Sequence, residues 1–149
     1  VFMDSVLSGA SFETFKDTLK AMANLLLEGD FKTVNAPRTT GEKLYFELGV
    51  EGIRGEAVRG FPGIFEWYPK KEENGFKKLL RIMARIDDTT LLKRGVDLPA
   101  MKKALKACEE KGFKAVDEIE RIYGTLSPGG AADLLALVFF LERREHLLK

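Results

Sequence analysis

A chain of 149 residues, 45% hydrophobic and 32% charged, can build one core that removes roughly 70% of its unfolded surface from water, so one domain is expected. Its formal net charge of +1 gives no global electrostatic case for nucleic acid or for an anionic membrane, and any basic site must be local. The lone Cys108 permits no disulfide within the chain and no cysteine cluster for a metal; no apolar run is long enough to span a bilayer and no signal peptide is recognisable, which makes a cytoplasmic location the expectation.

Helical periodicity runs through nearly the whole sequence and no strand-like alternation is long enough to pair. The expected fold is all-α, a single globular helical domain of about six or seven helices over residues 1–149. Phe12, Phe15, Leu19, Met22 and Leu26 alternate steps of three and four until Gly29, which predicts the first helix. Residues 30–37 read as a loop. A short helix over about 41–48 precedes a glycine-rich loop, and Pro62 and Pro69 then bracket Phe65, Trp67 and Tyr68, aromatics that suit either a core anchor or a stack on adenine. Helices over about 73–92, 98–111, 113–123 and 128–145 follow, with Gly112 and Gly124 between them. Cys108 continues the apolar stripe Leu98, Met101, Leu105 and is expected to pack as a small hydrophobe. His146 is expected in solvent. Lys77, Lys78, Arg81 and Arg85 form a basic stripe with no interleaved aromatics, the pattern of a solvated helix face rather than of an RNA-binding surface.

Chemistry-bearing residues gather in separate segments. Residues 52–62 set Arg54, Glu56 and Arg59 among Gly52, Gly55, Gly60 and Pro62. Glycine lets a ligand approach closely, while Arg and Glu supply an anion clamp and a carboxylate for metal or proton work; the same composition also fits a charged surface turn. Residues 87–95 follow a helical pattern carried by Phe76, Leu79, Leu80, Met83 and Ala84. If that helix runs on, Asp88 lies one turn from Ala84 on a partly apolar face, where a carboxylate needs a cation or donors; otherwise it belongs to a solvated acidic pair that ends the helix. Residues 126–141 begin with Ser127 as N-cap and Pro128 at the first helical position. Gly129 and Gly130 leave the first amides unshielded, a geometry suited to phosphate. The rest of that helix is apolar almost all round, which places it centrally and predicts burial for Asp133 beside a partner.

Taken in order, Thr39-Thr40-Gly41-Glu42-Lys43-Leu44-Tyr45, residues 52–62, residues 88–95 and residues 126–135 resemble the triphosphoribosyl-dephospho-CoA synthase family over roughly residues 36–145. Members join the triphosphoribosyl part of ATP to 3′-dephospho-CoA with loss of adenine, making a prosthetic-group precursor. The resemblance implies a transferase with ATP and dephospho-CoA as substrates and Mg2+ as the expected ion. Members are about twice as long, and their first half carries a Gly-Gly-Val-Asn-Thr-His-Lys-Gly stretch with no counterpart here. The chain therefore reads as a second half that needs its first half from another chain or segment, and its opening Val1 agrees with that. Thr90 replaces the usual Asn, and Val96 a usual glycine.

On this resemblance Arg54 and Arg94 would bind phosphate oxygens in bidentate fashion, with Lys93 as a further charge and Gly55 at close approach. Glu56 and Asp88 would serve as magnesium ligands or as the general base that takes the proton of the attacking hydroxyl. Ser127, Gly129 and Gly130 would donate to phosphate, while Glu42 and Asp133 would support the site. One shared site requires Arg54, Glu56, Asp88 and Arg94 to converge on a single cleft. A different class of reading is a nucleotide-binding or interaction module that keeps the pocket without turnover. No nucleic-acid or membrane partner is expected.

Overall fold

A computed structural model of the chain describes residues 12–27, 29, 37, 39–67, 74–93, 97–124 and 127–147, excepting the side chains of residues 12, 66, 67, 90, 91, 98, 109 and 144–147. The described residues are all-α, as expected, and contain no strand. In chain order the helices are α1 (Phe12–Leu27), α2 (Thr40–Leu48), α3 (Gly52–Val58), α4 (Pro62–Trp67), α5 (Gly75–Arg85), α6 (Thr89–Leu92), α7 (Leu98–Lys111), α8 (Val116–Tyr123) and α9 (Gly129–Leu147), with a 3-10 turn over Gly112–Ala115.

The core forms where α5 packs against both α7 and α9. Leu80, Ile82 and Met83 of α5 meet Met101 and Leu105 of α7 and Ala131, Leu134, Val138 and Leu141 of α9, all nearly inaccessible to water. Local signals start the helices that build it. The Asn74 side chain accepts from the Lys77 amide at 2.9 Å, and Asp97 accepts from the Ala100 amide at 3.2 Å with Pro99 in the first turn, each satisfying a donor that the helix start leaves over. Cys108 is fully buried, as its stripe predicts, and burial beside Glu118 pushes its thiol pKa up.

The expected 73–92 helix breaks. Ile86 leaves the helix with extended backbone and buries its side chain, and a new turn begins at Thr89. Asp87, Asp88 and the β-branched Thr89 follow Ile86; Asp and Thr compete with helical bonds and favour caps, so the sequence restarts there rather than running on. The Asp88 carbonyl accepts from Leu92 at 3.2 Å as the first bond of α6. The expected 113–123 helix likewise opens with the 3-10 turn, on which an exposed Phe113 stacks with Phe76, ring centroids 4.9 Å apart.

One burial expectation is corrected. α9 is central, but its buried residues Ala131, Leu134, Val138 and Leu141 recur every three or four residues and define one stripe. Asp133, at 100° per residue, falls outside that stripe and is exposed together with Ala132, Ala136 and Phe139. Composition is apolar all round, whereas burial is one-sided because neighbours cover one side only. On α1, Phe15 is buried and Leu19 packs on the core, while Leu26 is 74% exposed. The loop at 30–36, Tyr68 and Arg94 lie outside the described residues, as do the side chains of Trp67 and His146; Phe65 packs against the core. The basic stripe is not a free solvated face: Lys78 pairs with Glu142 and sits 5.9 Å over the Phe139 ring, and Arg85 donates to the Arg81 carbonyl.

Candidate functional site

Residues 52–58, expected as a loop, form the short helix α3. Its glycines are used where backbones and side chains crowd. Gly52 has φ +58°, and a Cβ there would lie 2.9 Å from Thr89 Cγ2 and 3.4 Å from the Asp87 carbonyl oxygen, so only glycine lets the start of α3 touch the break before α6. Gly55 is buried, and a Cβ there would overlap the Glu51 side chain. α3 leads into a turn in which Phe61 holds φ 55° while its amide bonds the Glu56 carbonyl at 2.7 Å, an uncommon conformation for a bulky residue that its packing on the core sustains.

α2 stands before α3 and is specified locally. Thr39 and Glu42 form a capping box, with the Glu42 amide bonding Thr39 Oγ1 at 3.2 Å and the Thr39 amide bonding Glu42 Oε2 at 2.9 Å. The support expected of Glu42 is thus a helix cap. α2 buries no residue; instead it forms a wall.

That wall faces a cleft of about 200 Å³ lined by Thr39, Thr40, Gly41, Glu42, Tyr45, Glu51, Ile53, Arg54, Thr89 and Lys93. Three of the sequence segments that carry the resemblance meet here: 39–45 from α2, Arg54 from α3, and Thr89 with Lys93 from α6 and its end. The packing of Gly52 on Thr89 brings them together. Arg54 and Lys93 give the cleft its cations, Thr39 and Thr40 its hydroxyls, and Tyr45 its aromatic ring, which meets Phe46 edge-on at 5.1 Å. The volume is below the roughly 300–1,000 Å³ of typical ligand pockets, enough for a phosphate chain and too small for a whole nucleotide.

A neighbouring cleft of about 220 Å³ is lined by Gly49, Glu51, Gly52, Glu56, Arg59, Arg85, Ile86 and Asp87. Arg59 pairs with Glu51 and reaches Glu56 Oε1 at 3.3 Å, while Glu56 Oε2 accepts the Gly63 amide at 3.3 Å at the start of α4. Asp87 pairs with Lys102 of α7. Glu51 lines both clefts.

Of the nominated residues that the structure describes, Arg54, Glu56 and Asp88 do not line one cleft. Arg54 and Glu56 lie two residues apart on a helix, about 200° around it, and face different clefts. Asp88 is 3% exposed and lines neither cleft. It lies near Tyr123, whose hydroxyl is buried without a hydrogen-bond partner and whose pKa is raised first by burial and then by the Asp88 charge. Glu56 bonds Arg59 and the Gly63 amide, Asp88 is enclosed, and no group of three metal-ligating side chains occurs among the described residues.

The start of α9 lines neither cleft. Ser127 is exposed, the Pro128 carbonyl takes the first helical bond from Ala132 at 2.9 Å, and the helix opens at Gly129, one residue later than expected. Gly130 packs instead near Ile53 and Ile86, 3.9 Å from each by a would-be Cβ. Sequence reasoning missed Glu51 and Arg59 as site residues. Their relation runs over eight positions of a helix that glycine content disguised as a loop, and glutamate at 51, arginine at 59 and a small residue midway were the signal available.

A family model described as ATP:dephospho-CoA triphosphoribosyl transferase matches residues 4–149, a longer stretch than the four motifs cover. The chain is 32% identical over 139 residues to a probable 2-(5''-triphosphoribosyl)-3'-dephosphocoenzyme-A synthase of Albidiferax ferrireducens, covering 76% of this chain and 45% of that protein. A probable synthase of the same description from Streptococcus mutans is 30% identical, with 85% and 51% covered, and the synthase of Pectobacterium atrosepticum is 30% identical, with 84% and 47% covered. The chain spans about half the length of the curated relatives it matches. No solved structure matches it. With three of its four motif segments meeting on one cleft and the family model matched almost end to end, the chain belongs to the ATP:dephospho-CoA triphosphoribosyl transferase family.

Proposed function

We propose that this chain holds the triphosphate part of a site that transfers the triphosphoribosyl group of ATP to 3′-dephospho-CoA with release of adenine. The observation that carries the reading is the convergence of Thr39, Thr40, Arg54, Thr89 and Lys93, from segments far apart in sequence, on a cleft the size of a phosphate chain. A guanidinium takes phosphate oxygens in bidentate fashion and an ammonium adds a point charge, so Arg54 and Lys93 supply the binding; the threonine hydroxyls supply directed donors. In the transfer, a hydroxyl of the acceptor gives up its proton as its oxygen bonds to the ribose carbon and the bond to adenine breaks, through an oxocarbenium-like transition state. Glu56, 16% exposed in the adjoining cleft, is the nominated carboxylate that an acceptor hydroxyl can reach; the enclosed Asp88 supports the segment bearing Thr89 and Lys93. Full turnover would draw on the part of the relatives that this chain does not span.

Because the chain spans about half of those relatives, binding without turnover is the second reading. Calorimetry with ATP and, in parallel, an adenine-release assay test both. Millimolar or tighter ATP binding, about 4 kcal/mol or more, that disappears in Arg54→Ala supports the site. Adenine release by the chain alone favours the complete transferase, and release only after addition of the uncovered segment of a relative favours the split arrangement. Absence of ATP binding would sink the site assignment.

A further inference from the structure

The first cleft is walled by a helix that buries none of its residues. α2 turns Gly41, Glu42 and Tyr45 to the cleft, and Leu48 continues that side one turn beyond Tyr45. Leu48 is 63% exposed, and Phe46 on the flank is exposed as well. α1 brings more apolar surface towards the same place. Asn24 Nδ2 donates to the Val58 carbonyl at 2.9 Å, and a Cβ on Gly60 would lie 3.1 Å from Lys20 Cβ, so α1 and α3 run antiparallel. The last turn of α1 therefore lies towards the start of α3, which α2 joins through residues 49–51. That turn carries Leu25 and Leu26, 77% and 74% exposed.

Single exposed leucines are ordinary, whereas several gathered beside a ligand cleft mark a contact surface. Phe113 and Phe139 are exposed too, but each serves within the chain: Phe113 stacks on Phe76, and Phe139 lies over Gly75, 2.7 Å from its would-be Cβ. They also stand away from the cleft, since nine residues, about 13 Å of helix, separate Phe139 from the Gly130 that packs near Ile53 and Ile86. Beside α2 two shortfalls coincide. The cleft takes a phosphate chain and leaves the nucleoside without walls, and the chain spans 45% and 51% of two relatives it matches. Resting on the phosphate reading above, we infer that α2 and the last turn of α1 are the docking surface for the part of the family's length that this chain does not span. That part covers Leu25, Leu26, Phe46 and Leu48 with an apolar face and supplies the remaining walls of the nucleotide pocket.

The test co-expresses the chain with the segment of the Streptococcus mutans relative that lies outside the match, and measures mass by light scattering and binding of ATP and of inorganic tripolyphosphate by calorimetry. A one-to-one complex is expected, with ATP bound about tenfold more tightly than by the chain alone and tripolyphosphate affinity nearly unchanged. Leu26→Lys with Leu48→Lys should abolish the complex and the gain in ATP affinity. Both positions are exposed and line neither cleft, so melting and tripolyphosphate binding of the chain alone should stay as in the wild type. Phe113→Lys, on the far aromatic face, should leave the complex intact. Failure to form a complex, a complex that survives the double lysine variant, or one that Phe113→Lys disrupts equally overturns the inference. A dimer of the chain alone that Leu48→Lys disperses assigns the face to a second copy and overturns it too. A complex that obeys the variants but binds neither ATP nor tripolyphosphate sinks the phosphate reading and leaves the docking surface standing.

Discussion

The core around α5, α7 and α9 and the cleft wall of α2 and α3 are built on different physics. In the core, Leu80, Leu105 and Leu134 are 0–2% exposed and interdigitate across three helices. In the wall, α2 buries nothing and α3 fully buries only Gly52 and Gly55; the capping box of α2, ion pairs and partly buried contacts such as Ile53 on the core hold it. A nine-residue helix is marginal without packing, so α2 depends on its capping box and its seat beside α3. The difference teaches that stability and ligand contact are carried by separate parts of the molecule, and substitutions should separate them.

The sharpest separation is expected from Leu105→Ala. Removing a fully buried side chain at the α5–α7 contact should cost about 2–5 kcal/mol, with roughly 2–4 °C of melting temperature for each kcal/mol. Tripolyphosphate affinity of the folded fraction should be unchanged, as denaturant titration paired with calorimetry would show; a large affinity loss would mean the regions are coupled. Gly52→Ala comes next. A non-glycine residue at φ +58°, with its Cβ 2.9 Å from Thr89, should cost about 1–3 kcal/mol and also weaken ligand binding, because it pushes Thr89 and Lys93 away from Arg54. Binding intact after that cost would break the argument that this junction assembles the cleft.

Thr39→Ala removes the capping box and should cost about 1 kcal/mol, read as lost helicity and a modest fall in affinity. A change without effect on either would show that α2 is held by other contacts. Tyr123→Phe removes a buried hydroxyl that has no hydrogen-bond partner and should be neutral or stabilising by up to about 1 kcal/mol. Its pH dependence has a definite sign. Burial and the Asp88 charge raise the folded-state pKa of Tyr123 above the ordinary 10.0, so the folded state keeps this proton longer, and stability present below about pH 10 is lost as pH rises beyond it. Tyr123→Phe should flatten that alkaline decline. Asp133→Asn should shift stability by no more than about 0.5 kcal/mol and leave binding alone, since Asp133 is exposed and lines neither cleft; a large effect would restore the sequence-based expectation of a buried partner.

Local pattern by itself determined much of this. Periodicities of three and four gave the all-α class, the first helix and the burial of Cys108; the punctuating Gly112 and Gly124 placed the ends of α7 and α8. These are interactions within a few residues, which sequence displays directly. The segments forming the cleft were also legible, because Arg54, Lys93 and residues 39–45 carry the resemblance. Only the tertiary structure decided the rest. That 52–58 is a helix despite Gly55 in its interior follows from its packing against α1 and α9, which outweighs a propensity penalty of about 1 kcal/mol. That Arg54 and Glu56 face different clefts follows from that helix, and that Asp88 is enclosed while Asp133 is exposed follows from which sides of their segments find neighbours. Burial is a relation between elements distant in sequence, and the pairing of Glu51 with Arg59 over Gly55 appears only once the helix between them exists.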